Sequence, residues 1–310
     1  MCIRDSTIAK LKWPGHGLVV GSGGVVKGKI KGRKRTVVLE QLIPNRGWSR
    51  VDRDKTSKKG VFKLKVPTSW YHGKLPHRVR VVGGRASKSY GVSVKPPYDT
   101  VGKSSYWTRV QKGRNWQYNP CKPVTWRANF AMAPAGARED LAEAVRRLEV
   151  ATGINFKYKG ETTNPAASRK NWPKGTNLVV VWHTNETSSV NMGNHTGVGG
   201  PLWGRWMRGP KGRVATTVKS RIIMNAGTKI PAGFGGTATG TVLMHELGHA
   251  SGLGHVLNRP GQVMSYDILT DWQAGDLGGL RKVGKQSGCL SPYRGGRLAT
   301  GGIEAPDPIF

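Results

Sequence analysis

Acidic residues, cysteines and long apolar runs are all scarce in this chain, and each scarcity excludes something. Seventeen Asp and Glu stand against 50 Lys and Arg, a formal charge of +33 over 310 residues. The excess is general, +18 before residue 100 and +15 after it. So basic a protein gathers on polyanions such as anionic cell-wall polymers, acidic glycans, anionic lipid or nucleic acid, unless the charge serves solubility alone. Specific nucleic-acid recognition is not expected, because no helix-turn-helix, Cys/His finger or aromatic RNA platform accompanies the charge. Three cysteines exclude a disulfide-rich scaffold. The first long apolar stretch, LVVGSGGVV at 18–26, is broken by glycine and far short of the roughly 20 residues of a transmembrane span. No secretory signal is visible. The opening MCIRDS resembles a translated sequencing-adapter remnant, so 1–16 are read as a non-native or disordered start and Cys2 as without meaning.

The length suits two domains, each with its own core. Residues 17–95 alternate in the period of strands, at 25–31, 36–42, 49–55, 61–66, 78–82 and 90–94, with Gly, Pro, Asn and Lys clusters between them. This predicts a small β-sandwich accessory domain, similar to immunoglobulin-like or carboxypeptidase-regulatory-like modules. Lys27, Lys29, Lys31, Arg33 and Arg35 share parity and would form a basic stripe if extended. Nothing aromatic is interleaved to stack on bases, and an ordinary solvated face accounts for them. Residues 96–115 open on two prolines, show no period and read as a linker. Then come strand 125–130, a helix over Ala137–Thr152, strands 155–160, 178–182 and 221–225, a glycine-rich approach, and a helix from about Thr239. Residues 291–310 read as a disordered tail. The expected class is α+β.

The eleven residues 245–255, HELGHASGLGH, carry the chemistry. His245 and His249 lie four apart, so on a helix both imidazoles leave one face and can share an ion, with Glu246 beside it. Gly252 can take the left-handed conformation that ends a helix and turns the chain back, presenting His255 as a third nitrogen. Three nitrogens and an open fourth position describe catalytic rather than structural zinc. Within ten residues of His255 follow Met264, Ser265 and Tyr266.

In this order the chain resembles the metzincin zinc peptidases, whose long zinc motif is followed by a methionine-containing turn. The resemblance covers 116–290. It implies a catalytic domain with a twisted mixed sheet, an active-site helix and a C-terminal helix, and it implies that Met264 forms an apolar floor under the ligands. Residues 275–284, GDLGGLRKVG, resemble the closing helix of matrixins through Asp276 and Leu280, although Gly275 stands where matrixins generally have a second acid. The Met-Ser-Tyr order instead resembles serralysins and astacins, in which a tyrosine two places after the Met reaches the zinc or the oxyanion. Tyr266 is therefore either an oxyanion stabiliser or a buried tyrosine bonded to backbone. With the start NPCKPVTWRANF, the match looks closest to bacterial, actinobacterial matrixin-like secreted peptidases.

The expectation is accordingly a secreted zinc endopeptidase acting on protein or peptide, extracellular or cell-wall associated, with one catalytic Zn²⁺ on His245, His249 and His255, Glu246 as general base and no transmembrane segment. The alternative is a non-catalytic polyanion- or wall-binding protein whose metalloprotease domain is a relic. A Cys121–Cys289 bridge would tie the ends of the catalytic domain and contribute on the order of 4 kcal/mol by chain entropy, implying an oxidising compartment. Cys121 as a latency thiol on the zinc is disfavoured, because the motif around such thiols is absent. A structural calcium or second zinc near His183 and His195 is not expected, since Glu186 is the one acid nearby.

Overall fold

The computed structural model describes residues 8–31, 34–265, 270–292 and 302–305. It is a mixed α+β protein, mostly strand with three α-helices among the described residues, and it divides into two compact units, Met1–Asp99 and Thr100–Phe310.

The first unit contains β1 (Ile8–Lys12), β2 (Leu18–Val19), β3 (Gly24–Ile30), β4 (Thr36–Ile43), β5 (Gly47–Lys55), β6 (Val61–Val66), β7 (His72–Val81) and β8 (Tyr90–Lys95). They form a three-stranded sheet, β1-β3-β6, and a five-stranded sheet, β2-β8-β7-β4-β5. Alternation explains the layering: β6 buries Phe62, Leu64 and Val66 and exposes Val61, Lys63 and Lys65. The buried set meets Val26 and Ile30 of β3, Val37 and Leu39 of β4 and Val79 and Val81 of β7 in one core between the sheets.

Two expectations are corrected here. The supposed disordered start contributes β1, which pairs with β3 while Ile8, Leu11 and Trp13 pack on the core. A five-residue strand is too short to declare a period by itself. The basic stripe also breaks: β3 ends at Ile30 and β4 begins at Thr36, so Lys31 and Arg35 leave that face, and Arg33 lies outside the described residues.

The second unit contains β9 (Thr108–Arg109), β10 (Trp116–Gln117), β11 (Val124–Asn129), α1 (Ala137–Thr152), β12 (Phe156–Glu161), β13 (Leu178–His183), β14 (Gly197–Gly209), β15 (Gly212–Asn225), α2 (Thr239–Ser251), β16 (Leu253–Gly254), α3 (Ala274–Val283), β17 (Ser291–Pro292) and β18 (Gly302–Glu304). The main sheet runs β12-β11-β13-β15-β14-β17. β12, β11, β13 and β15 are parallel, and β14 returns antiparallel to β15. α1 connects β11 to β12 and buries Leu141, Ala144, Val145 and Leu148, a stripe at helical spacing. Both β14 and the first half of β15 are longer than their sequence suggests. The glycines at 197, 199, 200 and 204 erase the side-chain alternation that marks a strand.

The linker and the tail are also corrected. Residues 100–115 belong to the second unit: the Val101 N–H donates to Gln273 Oε1 (2.9 Å), β9 pairs with β16, and buried Val110 donates to the Gly252 carbonyl (3.0 Å). These attachments are largely main-chain bonds, which leave no period to read. The tail supplies β17 and β18, both paired with β14, and Ile303 is buried. Cys121 and Cys289, 168 residues apart, are joined as a disulfide within this unit.

Candidate metal centre

α2 is buried along its whole length, His249 completely. Thr241 Oγ1 accepts from the Ala238 N–H (3.0 Å) at its start. At its end Gly252 has φ +108°, and a Cβ there would lie 2.0 Å from the Trp116 carbonyl oxygen, so left-handed conformation and close packing both require glycine. The chain then turns through β16, and Thr108 Oγ1 donates to the His255 carbonyl (2.7 Å). The backbone of the third histidine is thus anchored by a residue that the sequence placed in a linker.

His245 Nδ1 donates to the Val263 carbonyl (2.7 Å) and His249 Nδ1 to the Leu253 carbonyl (2.8 Å). Both rings are thereby fixed with unprotonated Nε2 atoms inward. The three Nε2 atoms converge, 3.0 Å from His245 to His255, 3.0 Å from His249 to His245 and 3.1 Å from His249 to His255. A tetrahedral ion with metal–nitrogen bonds of 2.0–2.1 Å sets such edges at roughly 3.3–3.4 Å, close to this triangle. Lone pairs gathered this tightly repel one another and fit a cation at their focus. The three histidines can therefore hold a metal ion, and among the described residues theirs is the one such group of three or more His, Cys, Asp or Glu.

Burial disfavours a proton on each ring. It pulls His245 down to about 4, assisted by His255 and opposed by the Val263 carbonyl. It takes His249 well below the ordinary range with help from the other two imidazoles, and it lowers His255, with His195 adding to the effect. Rings kept neutral are rings ready to ligate.

Glu246 is one residue along α2 from His245 and is 5% exposed. Its carboxyl lies against β14, where a Cβ on Gly199 would come within 2.8 Å of Oε2. Oε2 is buried without a hydrogen-bond partner among the described residues, and burial pushes the carboxyl up to about 8. An orphaned buried oxygen on the residue next to His245 is the kind of unsatisfied group that functional sites retain.

Met264 is fully buried, and its Sδ would lie 2.3 Å from a Cβ on Gly248, so it packs under α2 one residue from His249. The turn that carries it is held by Asp276 of α3. Oδ2 accepts from Val263 N–H (2.7 Å) and Gln273 N–H (2.9 Å), and Oδ1 from Met264 N–H (3.1 Å). Burial raises the Asp276 carboxyl to about 6 against the pull of these three donors. Gln262 answers for the acid missing at Gly275: its Oε1 accepts from the Gly275 (2.7 Å) and Asp276 (3.2 Å) N–H groups, and a Cβ at 275 would meet the Tyr106 carbonyl at 2.0 Å. Position 275 has no room for a side chain, so the start of α3 is satisfied from position 262.

Tyr266 lies outside the described residues. His183 ends β13 with Nδ1 3.3 Å from Thr187 Oγ1, and His195 precedes β14 on the exposed surface. Sequence reasoning missed Thr108, Gln262 and Gly199, none of which carries a motif. Their signal is spatial: each touches the backbone of α3, the Glu246 side chain or the third histidine.

Comparison with known proteins finds no family model that matches and no match among curated proteins. Among solved structures the chain is similar to a carbohydrate acetylesterase from Xanthomonas citri, at 13% identity over 57% of this chain, with a TM-score of 0.22. The matched region spans about half (51%) of that protein's chain, and a superposition this weak carries no argument about fold or activity.

Proposed function

We propose that this chain is a secreted, metzincin-like zinc endopeptidase, closest in kind to the matrixin-like peptidases of bacteria. The observation that carries the reading is the convergence of His245, His249 and His255, with the buried, unpartnered carboxyl of Glu246 on the next residue of the same helix. Four parallel strands with an antiparallel neighbour, a buried helix bearing the ligands and a methionine turn bonded to a following helix support the resemblance.

His245, His249 and His255 would hold a zinc ion, which would supply Lewis acidity for activating water and the scissile carbonyl. The rest falls to the protein. Glu246 would accept the proton of the attacking water and return it to the leaving amine, a role that needs the carboxyl ionised against the burial that raises it, which the positive charge of a cation on the neighbouring histidines would favour. Val263 and Leu253 hold the His245 and His249 rings in the tautomer that ligates. Residues 197–201 of β14 pair with β15, and Gly197 and Gly199 leave room for the Glu246 side chain against that strand. Tyr266 is the candidate to steady the oxyanion.

The test is hydrolysis of denatured casein and of a peptide library by the zinc-loaded chain, with and without chelator. Chelator-sensitive cleavage at a reproducible set of bonds supports the reading. A stoichiometric zinc protein that cleaves no peptide sinks it and favours the non-catalytic alternative.

A further inference from the structure

The register of the three-stranded sheet in the first unit gathers side chains that no single strand announces. β1 places Lys10 opposite Lys29 and Lys12 opposite Lys27. β6 places Lys63 opposite Lys27, Lys65 opposite Val25 and Val61 opposite Lys29. Val26, Ile30, Phe62 and Leu64 of the same strands point into the core, so the six lysines, with Val25 and Val61, share the outer face. All six are exposed, as are Val25 (39%) and Val61 (44%). Lys12, Lys27 and Lys63 form a row straight across the sheet.

Such a face is unfavourable by itself, because like charges directly opposite one another destabilise a sheet. Solvated faces ordinarily intersperse both signs, and the strands β1, β3 and β6 contain no acid. Edge protection accounts for lysines on β1 and β6 but not for Lys27 and Lys29 on the central strand. Asp52 and Asp54 of β5 accept from the main-chain N–H groups of Lys65 and Lys63, along one border of the face. Among the described residues none of the six lysines makes an ion pair. The other sheet of the same unit differs: Glu40 lies 2.8 Å from both Arg78 and Arg80.

The shape of the face narrows the partner. Its charges repeat in two dimensions, about 4.8 Å apart across strands and ~6.8 Å apart along them. It offers no groove for a linear polymer and no aromatic ring for a base. Lysine reads negative charge without the fork geometry that arginine brings to a single phosphate. Two valines at the height of the lysine stems add apolar contact. We propose that this face docks flat on an anionic lipid bilayer, with the lysines bending back along their stems to the phosphate headgroups so that Val25 and Val61 reach the acyl boundary. The proposal is independent of the peptidase reading.

The experiment is co-sedimentation of the full chain with 3:1 phosphatidylcholine–phosphatidylglycerol vesicles at low and high salt. Replacing four lysines of the face (Lys27→Gln, Lys29→Gln, Lys63→Gln, Lys65→Gln) should weaken vesicle binding roughly 1,000-fold at low salt. The same charge removed from the second unit (Lys122→Gln, Lys157→Gln, Lys159→Gln, Lys174→Gln) should weaken it less than about tenfold. The lysine-face variant should keep or raise its thermal midpoint, since opposed like charges are removed. A milder pair, Val25→Ser with Val61→Ser, should lose a few-fold on vesicles and nothing on soluble dextran sulfate. Equal losses in the two lysine variants would overturn the proposal in favour of diffuse attraction by net charge. So would failure of the unaltered chain to bind vesicles at low salt, or a valine variant unaffected on vesicles, which would point to a linear polyanion.

Discussion

Each unit buries a cluster of histidines, and the two clusters differ in where their ring nitrogens point. In the first unit His77 Nδ1 donates to the Leu75 carbonyl (3.0 Å) while Nε2 accepts from Gln41 Nε2 (3.2 Å), and the His72 ring centroid stands 6.1 Å away. Both nitrogens of His77 are used up by the fold. In the second unit only Nδ1 of His245 and His249 is so used, and the Nε2 atoms converge with that of His255. Residue type is the same in both, and His245 and His249 are buried as His72 and His77 are. A core histidine is able to ligate when one nitrogen is pinned by backbone and the other is left facing its like.

The sharpest way to break this comparison is to remove one ring from each cluster. His249→Ala should abolish metal binding and peptide cleavage together, whereas His77→Gln should leave zinc content and cleavage unchanged; metal analysis and a peptide assay on both proteins decide. Next, Glu246→Gln should lower turnover at least about 100-fold with zinc still stoichiometric, because the carboxylate acts beside the ion and does not bind it. Retention of more than about a tenth of the activity would remove Glu246 from the reaction. Tyr266→Phe should reduce turnover about 10- to 1,000-fold with little change in KM, as expected of a contact made mainly in the transition state. Unaltered turnover would return Tyr266 to the role of a buried turn residue.

Asp276→Asn tests whether the floor under the ligands matters. An amide cannot accept all three N–H bonds, so unfolding free energy should fall by about 2–4 kcal/mol and zinc affinity by about 10- to 100-fold, read by chemical denaturation and competition with a chelator. The last effect belongs to the first unit and leaves the metal site untouched. Burial lowers His77 from 6.5 to about 4, with His72 adding to the shift. Below pH 6.5 the unfolded chain therefore takes up a proton that the folded unit refuses. Stability is complete above that pH and is lost as pH falls from 6.5 toward 4, by up to about 3 kcal/mol. His77→Gln should flatten that slope, and a slope that persists would locate the acid sensitivity elsewhere.

Much of the site was legible because its chemistry depends on helical spacing. The bounds of α1 and the start of α2 follow from an apolar stripe and from two histidines four apart, local patterns that need no partner. What escaped was defined by backbone pairing, whereas the Cys121–Cys289 bridge was legible. The flanks that hold the site, Thr108 on β9 and Gln262 before the turn, act through backbone bonds to residues far away in sequence. The glycines of β14 are small because Glu246 and Trp116 occupy the space, and a run of glycines reads as a loop until its neighbours are known. The lysine face shows the same limit: one strand announces two of its six lysines, and register supplies the others.

The disulfide has a consequence for how the chain survives cleavage by a peptidase. Cys121 and Cys289 enclose the ligand helix and most of the second unit in one covalent ring. A single peptide bond cut anywhere inside that ring opens a loop without releasing a fragment. A nicked molecule keeps its mass apart from one added water, runs as two pieces only after reduction, and retains His245, His249 and His255 on one tethered body.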